Sequence, residues 1–91
     1  LLARYGGEEF VVLARGLDLK QGTQLAERLR VVAGREPVVV EGVSVVRKIS
    51  AGIATLECCG ADPSAQKILG IADERLYRAK ATGRDRVVGA P

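Results

Sequence analysis

The sequence predicts a mixed α/β (α+β) domain in which strands and helices alternate around one sheet. Three observations carry that expectation. Runs rich in β-formers stand at residues 10–14, 38–40, 49–55 and 86–88. Two segments with apolar residues at helical spacing separate them. Glycine or proline stands at most of the junctions, and nothing divides the chain of 91 residues into two parts. A chain of that length allows one small domain, residues 1–91.

Taken in order, residues 1–5 can be extended and Gly6-Gly7 marks a tight hairpin, because glycine reaches the positive φ of a primed turn. The strand at 10–14 is apolar on both faces, as expected where a sheet is covered on both sides. Asp18 then caps a helix, with Gln21 completing a capping box. Leu25, Ala26, Leu29, Val32 and Ala33 form its buried stripe, while Glu27, Arg28 and Arg30 fall on the solvated face. Gly34 closes this helix and Pro37 prevents its return.

Glu41-Gly42 joins Val38-Val39-Val40 to a long strand over residues 43–56. Ile49, Ala51 and Ile53 share one face of it. Ser50, Gly52 and Ala54 share the other, where small side chains let a helix or a substrate pack closely. Asp62 is the expected cap of the last helix, with Pro63 at its first position. Ile68, Ile71, Ala72, Leu76 and Ala79 make its buried stripe. Gly83 ends it, and Arg86-Val87-Val88 supply a closing edge strand.

Composition removes several function classes. Histidine is absent, which takes away the commonest general base and any histidine metal site. The two cysteines, Cys58 and Cys59, are adjacent at an expected strand end, which suits two reduced thiols better than a disulfide or a zinc site. No apolar run approaches the ~20 residues that span a bilayer, and no signal-peptide pattern opens the chain, so a cytoplasmic setting without membrane contact is expected. The net charge of +3 reflects cations gathered near the C-terminus: Arg75, Arg78, Lys80, Arg84 and Arg86. Such a cluster attracts nucleotide, nucleic acid or an anionic membrane. An aromatic content of 3% gives little for base stacking, so nucleic acid is the weakest of these readings.

Two stretches carry chemistry. Arg4-Tyr5-Gly6-Gly7-Glu8-Glu9-Phe10 places two carboxylates at the mouth of a strand, beside glycines that let phosphates approach the backbone. A carboxylate there can hold Mg²⁺, which typically bridges one or two carboxylates to substrate phosphates. Near the other end, Lys80 and Arg84 lie one turn apart at a helix terminus, where the macrodipole alone favours cations by roughly 0.3–1 kcal/mol.

The first stretch resembles the signature of the GGDEF family, the diguanylate cyclases, in its Glu-for-Asp form. Residues 71–88, Ile-Ala-Asp-Glu-Arg-Leu-Tyr-Arg-Ala-Lys-Ala-Thr-Gly-Arg-Asp-Arg-Val-Val, resemble that family's C-terminal segment. The strand around Ser50 and Gly52 matches a Ser-x-Gly strand of the family, with Arg47 and Lys48 as a departure that implies an exposed or bent start. The resemblance implies a palm or ferredoxin-like mixed sheet and condensation of two GTP molecules to cyclic di-GMP by a face-to-face homodimer.

By the same resemblance, Glu8 is a catalytic carboxylate and ligand of Mg²⁺ (or Mn²⁺), with Glu9 beside it in the motif. Gly6 and Gly7 border the nucleotide, Lys80 and Arg84 bind its phosphates, and Arg4 stands to pair with the carboxylates. Arg28 matches a secondary inhibitory contact to cyclic di-GMP. The resemblance covers only the second half of the family's domain, so the N-terminal part, with its first metal ligand and guanine-reading residues, is expected to be absent and the 91-residue chain inactive alone. A first strand would then be missing between residues 10–14 and 49–55. Direct pairing of the flanking strands, strand exchange in a homodimer or a separate N-terminal piece could close that gap. The alternative readings are a non-catalytic GGDEF-like module that senses nucleotide or controls assembly and, more remotely, a nucleic-acid-binding fragment.

Overall fold

Two glycine-containing turns each fold the chain back on itself. In the computed structural model, which describes residues 1–91, strand β1 (Leu2–Arg4) pairs antiparallel with β2 (Phe10–Val12), Leu2 opposite Val12. Strand β3 (Val38–Val40) pairs antiparallel with β4 (Val43–Val45). Glu41 and Gly42 between them have φ of 49° and 80°, the pair of left-handed residues that a type I′ turn requires. The first hairpin departs from expectation. Residues 5–9 form its loop, and neither Gly6 nor Gly7 has positive φ. The Glu9 carbonyl accepts from the amides of Tyr5 (2.8 Å) and Gly6 (3.2 Å), so bonds at the base close the loop and no primed turn is needed.

Helix α1 (Leu19–Arg35) begins as its sequence dictates. The Asp18 carboxylate accepts from the Gln21 amide at 2.7 Å, and the Gln21 side chain accepts from the Asp18 amide at 3.0 Å. Gly34 does not close it. The helix runs one residue further, and extended backbone at Glu36, before Pro37, ends it.

The expected long strand over residues 43–56 is broken. Strand β4 ends at Val45, and pairing resumes only in β5 (Ala51–Gly52), which runs parallel to β6 (Val87–Val88). Arg47 and Lys48 lie in the gap, where two exposed cations gain nothing from a covered strand. A 3-10 turn over Leu56–Cys59 follows, so the cysteines sit in a helical turn and not at a strand end; both are free.

Helix α2 (Ala65–Ala81) is capped by Ser64, whose hydroxyl accepts from the Lys67 amide at 3.1 Å. The expected cap, Asp62, instead offers its carbonyl to the Lys67 ammonium at 2.7 Å. At the far end Thr82 is the C-cap and Gly83 has φ 130°. The Arg84 amide donates to the Ala79 carbonyl at 2.9 Å, the long bond of a Schellman-type ending.

Gly52 explains why β5 lies where it does. A Cβ at that position would run into the Ala72 carbonyl oxygen and the Leu76 amide nitrogen, and would come within 2.9 Å of the Arg75 carbonyl carbon. The strand therefore rests directly on the backbone of α2. Of the small-residue face read from Ser50, Gly52 and Ala54, Gly52 is the position that packs against a helix.

The fold is thus mixed α+β, with its pairing divided among three two-stranded sheets. Only Ala26, Ala79 and Arg75 are buried. Strand β2 is not covered on both sides: Phe10 and Val12 are 63% and 54% exposed, because its only strand partner is β1. Leu29 and Val32 of the expected α1 stripe are likewise exposed. The radius of gyration of 14.2 Å exceeds the ~12 Å of a compact chain this long. Direct pairing of residues 10–14 with residues 49–55 does not occur, since β2 and β5 belong to different sheets.

Candidate active site

The loop of the first hairpin is laced from within. The Arg4 guanidinium donates through Nε to the Gly6 carbonyl (3.2 Å) and through Nη2 to the Gly7 carbonyl (2.7 Å). Arg4 therefore does not pair with the carboxylates, as the motif had led us to expect. Its planar fork reaches two successive carbonyls of its own loop, and a charged donor makes these the stronger class of hydrogen bond. A cation on the loop backbone fixes the turn and leaves Glu8 and Glu9 available to other partners.

That partner comes from the other end of the chain. Lys80, in the last turn of α2, places its ammonium 3.6 Å from Glu8 Oε1 and 3.5 Å from Glu9 Oε1. Glu8 is 79% exposed and Glu9 33%, so the pair opens to solvent on the Glu8 side. Exposed ion pairs at such distances contribute only ~0–1 kcal/mol, so this contact adds little to the fold. Its chemical content is different: two carboxylates converge on one cation, with open space at Gly7, where nothing lies within 4 Å of a built Cβ. Gly6 is nearly as open, its nearest neighbour being the Glu9 Cβ at 3.7 Å.

No group of three acidic, histidine or cysteine side chains converges anywhere in the chain. A metal held here would take Glu8 and Glu9 as its protein oxygens and complete its shell from phosphates and water. That is the donor set Mg²⁺ characteristically accepts, so the residues present fit the ion.

Arg84 is not tied to this cluster. It sits in the turn after α2 with φ 61°, is exposed and joins no ion pair. Arg28 is exposed on α1 beside a shallow groove formed with Glu27, Val31, Val32 and Arg35.

Two charged residues do more than the sequence suggested. Arg30, expected to be solvated, forks onto Glu27 through Nε (3.0 and 3.1 Å) and Nη2, and reaches Asp85 Oδ1 through Nη1 at 2.9 Å. The bond from Arg30 holds the Glu27 carboxyl below the usual range, and the same partners raise Arg30. This clasp joins α1 to the turn between α2 and β6. The turn is also held by the Asp85 amide donating to Ser50 Oγ at 2.9 Å. Arg75 is 5% exposed and donates through Nη1 to the carbonyls of Ile53 (2.8 Å) and Gly89 (3.5 Å) and to Cys58 Sγ (3.4 Å). The signal for it was present, because residue 75 lies four residues before Ala79 and four after Ile71, inside the apolar stripe.

The sequence profile of "Diguanylate cyclase, GGDEF domain" matches residues 1–86. The chain is 42% identical over 86 residues to "Diguanylate cyclase DgcP" of Pseudomonas aeruginosa, covering 94% of this chain and 12% of that protein. It is 36% identical over 89 residues to "Response regulator PleD" of Caulobacter vibrioides, covering 98% of this chain and 20% of that protein. Over 89 residues it is 35% identical to "Diguanylate cyclase A" of Treponema denticola, covering 93% and 22% respectively. The chain thus spans less than a quarter of each of these relatives.

Proposed function

The chain belongs to the GGDEF domain family of diguanylate cyclases, and on that premise we propose that it forms the phosphate-facing part of a domain that condenses two GTP molecules into cyclic di-GMP. One observation carries the reading: Lys80 reaches Glu8 and Glu9, so the signature and the C-terminal segment, far apart in sequence, meet at one point.

In this reading Glu8 holds Mg²⁺ or Mn²⁺, with Glu9 alongside, and Gly6 and Gly7 border the nucleotide. A bound divalent ion supplies electrophilic activation of the phosphate and lowers the proton affinity of the 3′-hydroxyl. Glu8 assists removal of that proton as the oxygen attacks the α-phosphorus, and pyrophosphate leaves. Lys80 and Arg84 carry the charge on the phosphates, Lys80 as a mobile point charge and Arg84 as a bidentate fork. Each protomer contributes one GTP to a face-to-face homodimer, and Arg28 takes part in product inhibition. Free thiols at Cys58 and Cys59 and the lack of any helix long and apolar enough to cross a membrane accord with a cytoplasmic setting.

These 91 residues alone do not turn over in this reading. Support comes from a core of only three buried residues. The test therefore sets residues 1–86 into the matching segment of the Pseudomonas aeruginosa diguanylate cyclase and follows cyclic di-GMP formed from GTP. Glu8→Gln keeps size and polarity but loses the negative charge, and turnover falls by at least ~100-fold if the ligand contributes several kcal/mol. Near-normal turnover by the Gln variant refutes the assignment of Glu8. GTP binding without turnover by the unsubstituted chimera marks a sensing module instead.

A further inference from the structure

The two cysteines differ in their surroundings although they are neighbours. Both are free and half-buried, so small solutes reach both. Cys58 Sγ lies 3.5 Å from the Thr55 hydroxyl and 3.4 Å from Nη1 of Arg75, two groups able to donate to sulfur. Cys59 Sγ faces the Thr55 carbonyl at 3.9 Å, which can only accept. Donors to sulfur favour a thiolate, and Cys59 has none.

Arg75 supplies a second, independent observation. It is the only buried charged residue, and it joins none of the chain's ion pairs. Its other partners are neutral carbonyls, those of Ile53 and Gly89. Burying a cation without a counter-ion is costly, and Coulomb attraction is strong where water is excluded. Among the groups Arg75 touches, Cys58 alone can become an anion. The guanidinium and the thiol therefore complete one another when the thiol ionises.

We propose that Cys58 is a peroxide-reactive thiol, a modification site separate from the hairpin, with Cys59 as its unreactive neighbour. The Cys58 thiol is held below the ordinary cysteine range, first by the Thr55 side chain and backbone and then by Arg75, against the opposing effect of burial. The thiolate attacks one oxygen of a hydroperoxide. A sulfur–oxygen bond forms and the oxygen–oxygen bond breaks. The departing oxygen leaves as hydroxide and takes a proton to become water. Sulfur is oxidised by two electrons, the peroxide is reduced, and the product is a sulfenic acid. Cys59 does not resolve it readily: adjacent Cα atoms are ~3.8 Å apart, below the ~4.4 Å lower limit of ordinary disulfides. An external thiol caps and restores the site. The new oxygen lies beside the guanidinium that ties Ile53 and Gly89 together, so the modification loads the contact between β5, β6 and α2.

The test uses the 91-residue chain, limiting hydrogen peroxide and dimedone as sulfenic-acid trap, with adducts assigned by peptide mass spectrometry. Cys58 is expected to label at least ~5-fold faster than Cys59, the factor that one net hydrogen bond to its sulfur supplies. In concentrated urea the preference is expected to vanish, because the donors are then dispersed. Thr55→Val removes the hydroxyl at nearly constant shape and is expected to reduce the preference by ~3-fold or more, with helix content unchanged by circular dichroism. The pH profile of iodoacetamide alkylation in the unsubstituted chain provides a reading that needs no variant, with the Cys58 midpoint below its own value in concentrated urea. Equal labelling of the two cysteines, a preference that survives urea, a folded Thr55→Val variant with unchanged preference, or a Cys58 midpoint that urea leaves unchanged each overturns the proposal.

Discussion

Gly52→Ala places one methyl group between β5 and the backbone of α2. The nearest atoms are the Ala72 carbonyl oxygen and the Leu76 amide nitrogen, and the Arg75 carbonyl carbon stands 2.9 Å from the new Cβ. Carbon atoms in contact prefer ~3.5–4.0 Å, so even this least severe clash demands a retreat of ~0.6 Å, and the other two demand more. All three are backbone atoms of one helix, so no side-chain rotation relieves them. Overpacking typically costs ~1–3 kcal/mol, and a rigid backbone puts this site near ~3 kcal/mol. In a domain of this size each kcal/mol moves Tm by ~4–8 °C, so Tm is expected to fall by ~12–24 °C. Gly70→Ala is the matched control on the same helix. Nothing lies within 4 Å of its built Cβ, and alanine at an exposed helix position is better by ~1 kcal/mol, so Tm is expected to rise. Thermal melts followed by circular dichroism measure both variants. A Gly52→Ala melt within ~2 °C of the parent refutes the claim that β5 rests on the α2 backbone.

Lys80→Ala is expected to leave stability within ~1 kcal/mol of the parent, because its ion pairs are partly exposed, while lowering GTP turnover in the chimera. Unchanged turnover removes Lys80 from the phosphate site. Arg84→Gly separates two roles of one residue: glycine relieves a left-handed φ of 61° worth ~1 kcal/mol, so Tm rises while turnover in the chimera falls. A fall in Tm contradicts the strain argument. Glu27→Gln tests the clasp by pH. The folded-state pKa of Glu27 is lowered by Arg30, so its contribution is fully present above the ordinary carboxylate value and is lost as pH falls through the lowered one. The Tm difference between parent and variant is expected to persist near neutrality and to close in acid. A difference that grows in acid reverses the sign and refutes the assignment.

Local signals were the legible ones. Asp18 and Gln21 specify a capping box, which forms as read, and Glu41-Gly42 a junction between two strands, which closes as a type I′ turn; each needs only residues a few positions apart. Gly52 was legible as a close-packing position but not as the point where a strand meets the helix backbone, which depends on where α2 lies. Arg30 was misread because its partner Asp85 stands far away in sequence, and Arg4 because its guanidinium chose carbonyls of its own loop over nearby carboxylates. The cover expected over β2 was an inference from two apolar faces. Apolar character on both faces states a demand for partners, and α1 and α2 do not meet that demand at Phe10 and Val12. Within the site, Glu8, Glu9 and Lys80 were named from motifs, and the structure unites them. Nothing in the spacing of Arg84 fixed its side chain at the same point.

The distance along the chain between the paired groups also sets an order in time. The β3–β4 hairpin closes through two residues, so it can form within microseconds of its residues being free. The β1–β2 hairpin is almost as local. Ala51 must wait for Val87, and therefore for all of α2, before β5 and β6 can pair. Lys80 meets Glu8 and Glu9 across nearly the whole chain. During synthesis the carboxylate loop emerges before α2 and stands without its cation until that helix is made. The convergence of charge at the hairpin is thus among the last events of folding, and a chain arrested before α2 carries the signature without the site.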